Sequence, residues 1–202
     1  LIIFDLETTC DNQSNYWDYQ EIIEIGAVKC DNKLRIVDTF DEFIKPIKNI
    51  ILTNYCTVHC KKLTSIYQKD INQAANFSTV LRHFINWCVD KPMRAKEDLS
   101  ELQIQSLRFG TWGEYNYKKI LEEHNKYNLD YNFIKEEIFF PMCIDIKREF
   151  AKRHGRKSLK KALGTLNMKF IGTQHRAIND AINTWRVLKN LRDYYPAQPI
   201  KL

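Results

Sequence analysis

The chain opens on an unbroken apolar run, Leu1-Ile2-Ile3-Phe4, which stops at Asp5-Leu6-Glu7. A run of this kind, ended by polar residues, predicts a buried strand. Two further segments rich in β-branched residues, 22–28 and 34–40, flank the turn-like Asp31-Asn32-Lys33 and predict a hairpin following the first strand. From Phe77 onward the apolar positions Phe77, Val80, Leu81, Phe84, Ile85 and Cys88 recur at three- and four-residue intervals, which predicts a helix over 77–89 crossing the sheet. The pattern then predicts a polar stretch to 105, a strand over 104–111 running into Trp112-Gly113, and a helix over 117–124. Looser chain over 125–141 precedes helices near 146–153 and 158–166 and a long final helix over 177–191. Strands early and helices late predict an α/β domain, a mixed sheet with helices on its faces.

Composition adds bounds. With 202 residues, 44% hydrophobic and 28% charged, the chain is expected to form one soluble globular domain over 1–195 with a short tail at 196–202. No apolar run approaches the roughly 20 residues that cross a bilayer, and no charged-then-apolar leader is present. A membrane role is therefore not expected, and an intracellular location, cytoplasmic or nuclear, is. A first residue already inside a strand, with no initiator Met, leads us to expect a longer or trimmed protein. The six cysteines form no Cys-x-x-Cys pair, so reduced, mostly buried thiols are expected. Cys56, His59 and Cys60 offer three zinc ligands, but no second cluster stands at a matching spacing, which favours a loop.

The formal charge of +6 favours an acidic partner only weakly. Its distribution is more informative, because Lys147, Arg148, Lys152, Arg153, Arg156, Lys157, Lys160 and Lys161 crowd into fifteen positions. Such a stretch attracts a phosphate backbone, unless it is merely a solvated helical face.

The chemistry concentrates at the two ends. In a strand, residues two apart share a face, so Asp5 and Glu7 would repel each other unless a positive charge lies between them. A metal ion answers that requirement. Near the far end stands His175-Arg-Ala-Ile-Asn-Asp180. Five helical residues span about 140° in angle, so His175 fits better in the loop before the last helix, with Asp180 on its first turns. The positive helix end there helps keep the imidazole neutral and able to take a proton.

Together these residues resemble the DEDDh 3′-to-5′ exonucleases of the ribonuclease H-like fold. Asp5-Leu6-Glu7 matches the first motif and His175 with Asp180 the last. The hairpin, the segment 52–56 and Cys143-Ile144-Asp145-Ile146-Lys147 fall in family order, and Thr9-Cys10-Asp11 is similar to the Eri-type subgroup, which trims 3′ ends of structured and small RNAs. The resemblance implies a mixed five-stranded sheet flanked by helices and hydrolysis of RNA from its 3′ end. It also implies two Mg²⁺ ions per site, with Mn²⁺ able to substitute, roughly 3.5–4 Å apart. Asp5 would bridge both ions, Glu7 and Asp180 would complete the first, and His175 would deprotonate the attacking water near its ordinary pKa of about 6.5.

The middle motif departs from the family. Four positions after Trp112 the family carries an aspartate, and this chain carries Asn116, an oxygen ligand without the charge. Weakened binding of the second ion and reduced turnover are implied, with substrate still held, whether the asparagine is natural or introduced. Tyr115 matches an aromatic that stacks on the terminal base, a core tyrosine being the alternative. Leu6 and Thr8 match the backbone that meets the 3′-terminal nucleotide, and Lys157 and Lys160 would contact phosphates. Asn183, one turn after Asp180, would orient a ligand or water, unless it is a helix-surface amide. Single-stranded or overhanging RNA 3′ ends are thus the expected partner. A binding module without hydrolysis and a DNA proofreading exonuclease remain as alternatives.

Overall fold

A computed structural model describes residues 1–10, 20–46, 58–90 and 100–194. The segment 52–56, Cys56, the bulk of the polar stretch after Asp90 and the expected tail at 196–202 lie outside the described residues.

The opening apolar run forms β1 (Ile2–Thr8), and the two β-branched segments form β2 (Ile22–Cys30) and β3 (Ile36–Lys45). These three pair antiparallel, with Glu7 opposite Glu24 and Asp5 opposite Gly26. A two-residue strand, β4 (Ala75–Asn76), runs parallel to the end of β3. Two three-residue strands, β5 (Phe109–Thr111) and β6 (Cys143–Asp145), continue the sheet in parallel on the other side of β1. The order β4-β3-β2-β1-β5-β6 gives a mixed sheet of six strands rather than five. The extra strand is β4, the lead-in to the helix that begins at Phe77. Its Asn76 accepts a hydrogen bond from the Thr79 backbone N–H (3.0 Å) and caps that helix.

The helices are α1 (Val58–Thr64), α2 (Gln68–Asn72), α3 (Phe77–Val89), α4 (Glu101–Ser106), α5 (Tyr115–Lys126), α6 (Glu136–Phe139), α7 (Ile146–His154), α8 (Leu159–Thr165) and α9 (Ala177–Tyr194). The strand expected over 104–111 is therefore corrected: its first half is helical and only Phe109–Thr111 is strand. The cause is a capping box, in which the Ser100 hydroxyl accepts from the Gln103 N–H while the Gln103 side chain reaches back to the Ser100 N–H. The looser chain over 125–141 contains α6 and a 3₁₀ turn at Phe140–Met142.

Alternation along β1 divides the core. Ile2, Phe4 and Leu6 face one side, where Phe4 packs edge-on against Phe109 with ring centroids 5.9 Å apart, beside Phe84 and Phe139. Ile3 faces the other, among Phe150, Leu163, Val187 and Leu188 of α7, α8 and α9. By the two-residue period Asp5 and Glu7 continue the face of Ile3, onto the side covered by α9. Meanwhile β5 pairs with β1 only at Ile2 and Ile3. Beyond that point the two chains diverge, and the carboxylates stand where the sheet opens.

α9 can approach β2 closely because position 26 is glycine: a Cβ there would overlap the Ile178 nitrogen and the Ala177 carbonyl carbon. Gly26→Ala should therefore cost about 3 kcal/mol, the upper range for overpacking where backbone rather than a flexible side chain must move. A urea-unfolding midpoint indistinguishable from that of the parent chain would contradict this contact.

Candidate active site

Four side chains from two distant segments meet at the open end of β1. Asp5 and Glu7 come from the strand, Asp180 from the first turn of α9, and His175 from the turn before it. Ligand atoms of Glu7, His175 and Asp180 all lie within 4.8 Å of one another. His175 adopts left-handed backbone geometry (φ 58°) and donates its N–H to Asp180 Oδ2 at 3.0 Å. A non-glycine residue rarely adopts that region unless its surroundings impose it. From the start of α5, Asn116 donates its side-chain N–H to Asp5 Oδ1 at 2.5 Å.

The field at this point is strongly negative. Burial pushes Asp5 well above the usual carboxylate range, and Asp180 adds to it, while the Asn116 hydrogen bond opposes the rise. Glu7 rises for the same reasons, burial first and then Asp5 and Asp180. Asp180 is pushed up to about 7 by burial, against the pull of the His175 N–H. Burial lowers the His175 imidazole, so the ring is neutral at neutral pH. Carboxylates in this state are what a bound cation would ionise, and the donors they offer are oxygens. Mg²⁺ and Mn²⁺ both favour such oxygens. The residues present fit a divalent cation.

A second, fully buried carboxylate braces the centre without joining it. Glu24 accepts hydrogen bonds from Arg176 Nε (2.8 Å) and from the Ala177 N–H (2.8 Å), so it caps α9 from the neighbouring strand. Arg176 Nη2 lies 2.7 Å from the same carboxylate and 3.9 Å from Asp41. Burial and Glu24 push Asp41 up to about 7, against the pull of Arg176.

A cleft of about 840 Å³ contains this centre. One wall carries Tyr115, 42% exposed, whose hydroxyl donates to Gln20 Oε1 (2.7 Å) and lies 3.3 Å from Thr8 Oγ1. Leu6, Thr8, Lys147 and Lys160 also line the cleft, as do His59 and Leu63, four residues apart on α1.

The sequence matches the family described as Exonuclease (RNase_T) over residues 2–188. This chain belongs to that exonuclease family. Human ERI1 exoribonuclease 2 is 25% identical over 205 residues, covering 94% of this chain but only 28% of the relative. The 3'-5' exonuclease eri1 of Schizosaccharomyces pombe is 28% identical over 207 residues, covering 95% and 67%. The exonuclease domain thus spans little more than a quarter of the human relative's length. Among solved structures, the nuclease domain of 3'hExo, a DEDDh family member bound to rAMP, superposes with a TM-score of 0.77 at 23% identity, covering 100% of this chain and 95% of that one. CRN-4 superposes with a TM-score of 0.74 at 20% identity, covering 100% and 71%. The fold is the ribonuclease H-like fold of these nucleases.

Of the residues singled out in the sequence, the cleft gathers Asp5, Leu6, Glu7, Thr8, Tyr115, Asn116, Lys160, His175 and Asp180. Tyr115 is a wall residue, not a core tyrosine. Lys157 is not among the lining residues; its ammonium donates to Thr165 Oγ1 at 2.8 Å. Asn183 is neither a site amide nor a surface one, being fully buried and bonded to the chain at Ile171. Of the three zinc ligands weighed in the sequence, the Cys60 thiol is buried and points at the Thr8 carbonyl (3.8 Å), and Cys56 lies outside the described residues. Lys147, Leu63 and Gln20 were not singled out as site residues. Lys147 had a signal, the basic stretch itself, whereas Leu63 and Gln20 had none. No described helix is long and apolar enough to cross a membrane.

The raised carboxylates also govern metal-free stability. A group whose folded pKa exceeds its unfolded one stabilises the fold at low pH and loses that contribution as pH rises through the folded value; for Asp180 that window runs from about 4 to about 7. Thermal unfolding in chelator should therefore worsen from pH 5.5 to pH 8. Saturating Mn²⁺ should recover more at pH 8, on the order of 2.7 kcal/mol at a hundredfold excess over Kd. Equal gains at both pH values would contradict a carboxylate cation site.

Proposed function

We propose that this chain is a metal-dependent 3′-to-5′ exoribonuclease domain whose turnover is held down by Asn116. The observation that carries the reading is the convergence of Asp5, Glu7, Asp180 and a neutral His175 in one cleft, from opposite ends of the sequence. The relatives' names support it: those of human and fission yeast are an exoribonuclease and a 3'-5' exonuclease. Asp5, Glu7 and Asp180 would hold divalent cations, which when bound supply positive charge to the attacking and leaving oxygens of a phosphodiester. His175 takes a proton from the attacking water at a ring nitrogen, as its lowered pKa allows at neutral pH. Thr8 and Leu6 border the 3′-terminal nucleotide, and Tyr115 offers its ring to the terminal base, held by Gln20 and Thr8. Lys147 and Lys160 on the cleft wall receive backbone phosphates.

A second reading has its own observation. The Asn116 amide donates to Asp5 Oδ1, occupying an oxygen that a second cation would need. On this reading the domain holds RNA 3′ ends without cutting them. Asn116→Asp decides between the two. With Mg²⁺ or Mn²⁺ it should raise degradation of a single-stranded RNA by about 100-fold or more, the effect of several kcal/mol of charge stabilisation. An aspartate form that gains nothing on RNA leaves the binding reading. Preference for DNA of the same sequence would replace RNA as substrate, since the 2′-hydroxyl distinguishes the two.

RNA affinity should also fall steeply with salt. Reversing Lys147 or Lys160 to Glu should flatten the log-log slope by about 0.7 per lost single-strand phosphate contact. Unchanged slopes in both variants would remove this wall from the binding surface.

A further inference from the structure

Within the proposed nuclease reading, on which it rests, we infer that Asn183 is a positioning residue for His175: its buried amide clamps the preceding loop onto α9 and so fixes where the imidazole stands.

An amide has two N–H donors and two acceptor lone pairs, and Asn183 uses all four. Its Nδ2 donates to the carbonyls of Ile171 (2.8 Å) and Asn179 (2.8 Å). Its Oδ1 accepts from the Ile171 N–H (3.1 Å) and from Arg186 Nη1 (2.9 Å). Both backbone groups of Ile171 are thus held by one side chain. Neighbouring residues of α9 extend the grip: Arg186 donates to the Lys169 carbonyl (2.6 Å) and Asn179 to the Thr173 carbonyl (3.1 Å). Alternate carbonyls at 169, 171 and 173 are therefore tied to a single helix. Gly172, at φ 80°, lies against the Asn179 side chain, where a Cβ would collide with the amide.

Such a clamp matters here because, past Phe170, which packs against the core, the loop buries little. Ile171 is 52% exposed, and Gly172, Thr173 and His175 are exposed as well. A segment with few buried apolar contacts owes its conformation to its hydrogen bonds. His175 itself comes next in a left-handed turn, anchored by its N–H to Asp180, and Glu24 fixes the Ala177 N–H just beyond. Among the described residues its imidazole makes no hydrogen bond, so the ring's position is set by the backbone on either side. The downstream half belongs to Glu24. The upstream half belongs to Asn183.

The test uses the Asn116→Asp chain with Mn²⁺ and single-stranded RNA. Asn183→Ala should lower kcat by about 30- to 100-fold with KM within about threefold, as expected when a reacting group is misplaced by about 1 Å. Mn²⁺ affinity by calorimetry should stay within about twofold, because Asp180 lies on the helix and not on the released loop. In a His175→Ala background the same substitution should add less than about twofold, since two residues acting through one group are not additive. Asn183→Ser leaves one hydroxyl able to bond the loop, so it should fall between; it carries the test if the alanine form fails to fold. An undiminished effect in the His175→Ala background, or a matching loss of Mn²⁺ affinity, would overturn the inference. If the Asn116→Asp chain does not cut RNA, the functional reading has failed on its own. The clamp is then read from amide exchange: the His175 N–H should exchange about tenfold faster in the variant, and unchanged exchange there overturns it.

Discussion

Like charges forced together at the open end of β1 are the constraint around which this structure is arranged. Asp5 and Glu7 share a strand face by the two-residue period, and Asp180 enters the same space from α9. In a partly desolvated cleft such charges interact far more strongly than in water. The carboxylates answer by shifting upward, Asp180 to about 7. They hold protons where no cation is present and release them where one binds. Proton uptake, cation affinity and fold stability are therefore coupled through the same three groups.

Holding them there requires support from the neighbouring strand. Glu24 stands directly across from Glu7 in the β1–β2 pairing, which would worsen the repulsion were it not neutralised by Arg176 and satisfied by the Ala177 N–H. That contact also does the work of a helix cap, since no side chain within α9 needs to supply one. It is possible only because Gly26 lets the helix backbone reach the strand. A chain with alanine at 26 would lift the first turn of α9 away from β2, carrying Asp180 away from Asp5. One hydrogen atom in place of a methyl group thus links packing to chemistry.

The parts of this arrangement legible in the sequence are those governed by short-range periodicity. The apolar run that ends at Asp5 and Glu7, the β2–β3 hairpin and the helical spacing from Phe77 all arise from local pattern, as does the place of His175 in the turn before α9. Three-residue strands such as β5 and β6 carry too little pattern to announce themselves; their partners define them. At 104–111 a local signal was present but of another kind, the Ser100–Gln103 capping box, which outweighs apolar content in choosing helix. Asn183 shows the same limit for single side chains. Helical spacing places it one turn from Asp180, but only the returning loop at Ile171 makes it a buried clamp. Lys157 and Lys160 are three residues apart in one basic stretch, and the turn into α8 sends one to Thr165 and the other to the cleft.

Asn116 changes the balance at the centre in a way its size does not suggest. As an amide it donates to Asp5 Oδ1 at 2.5 Å, which opposes the rise that burial and Asp180 impose on that carboxylate. An aspartate at the same distance would place a fourth carboxyl against Asp5. Two ionised carboxylates cannot sit in hydrogen-bond contact, so the pair would need either a shared proton or a metal ion between them. The asparagine form is thereby partly self-neutralised, whereas the aspartate form would be built around a vacancy that only positive charge can fill. What distinguishes the two forms is one donor atom in place of one acceptor against Asp5, with every other member of the cluster left in place.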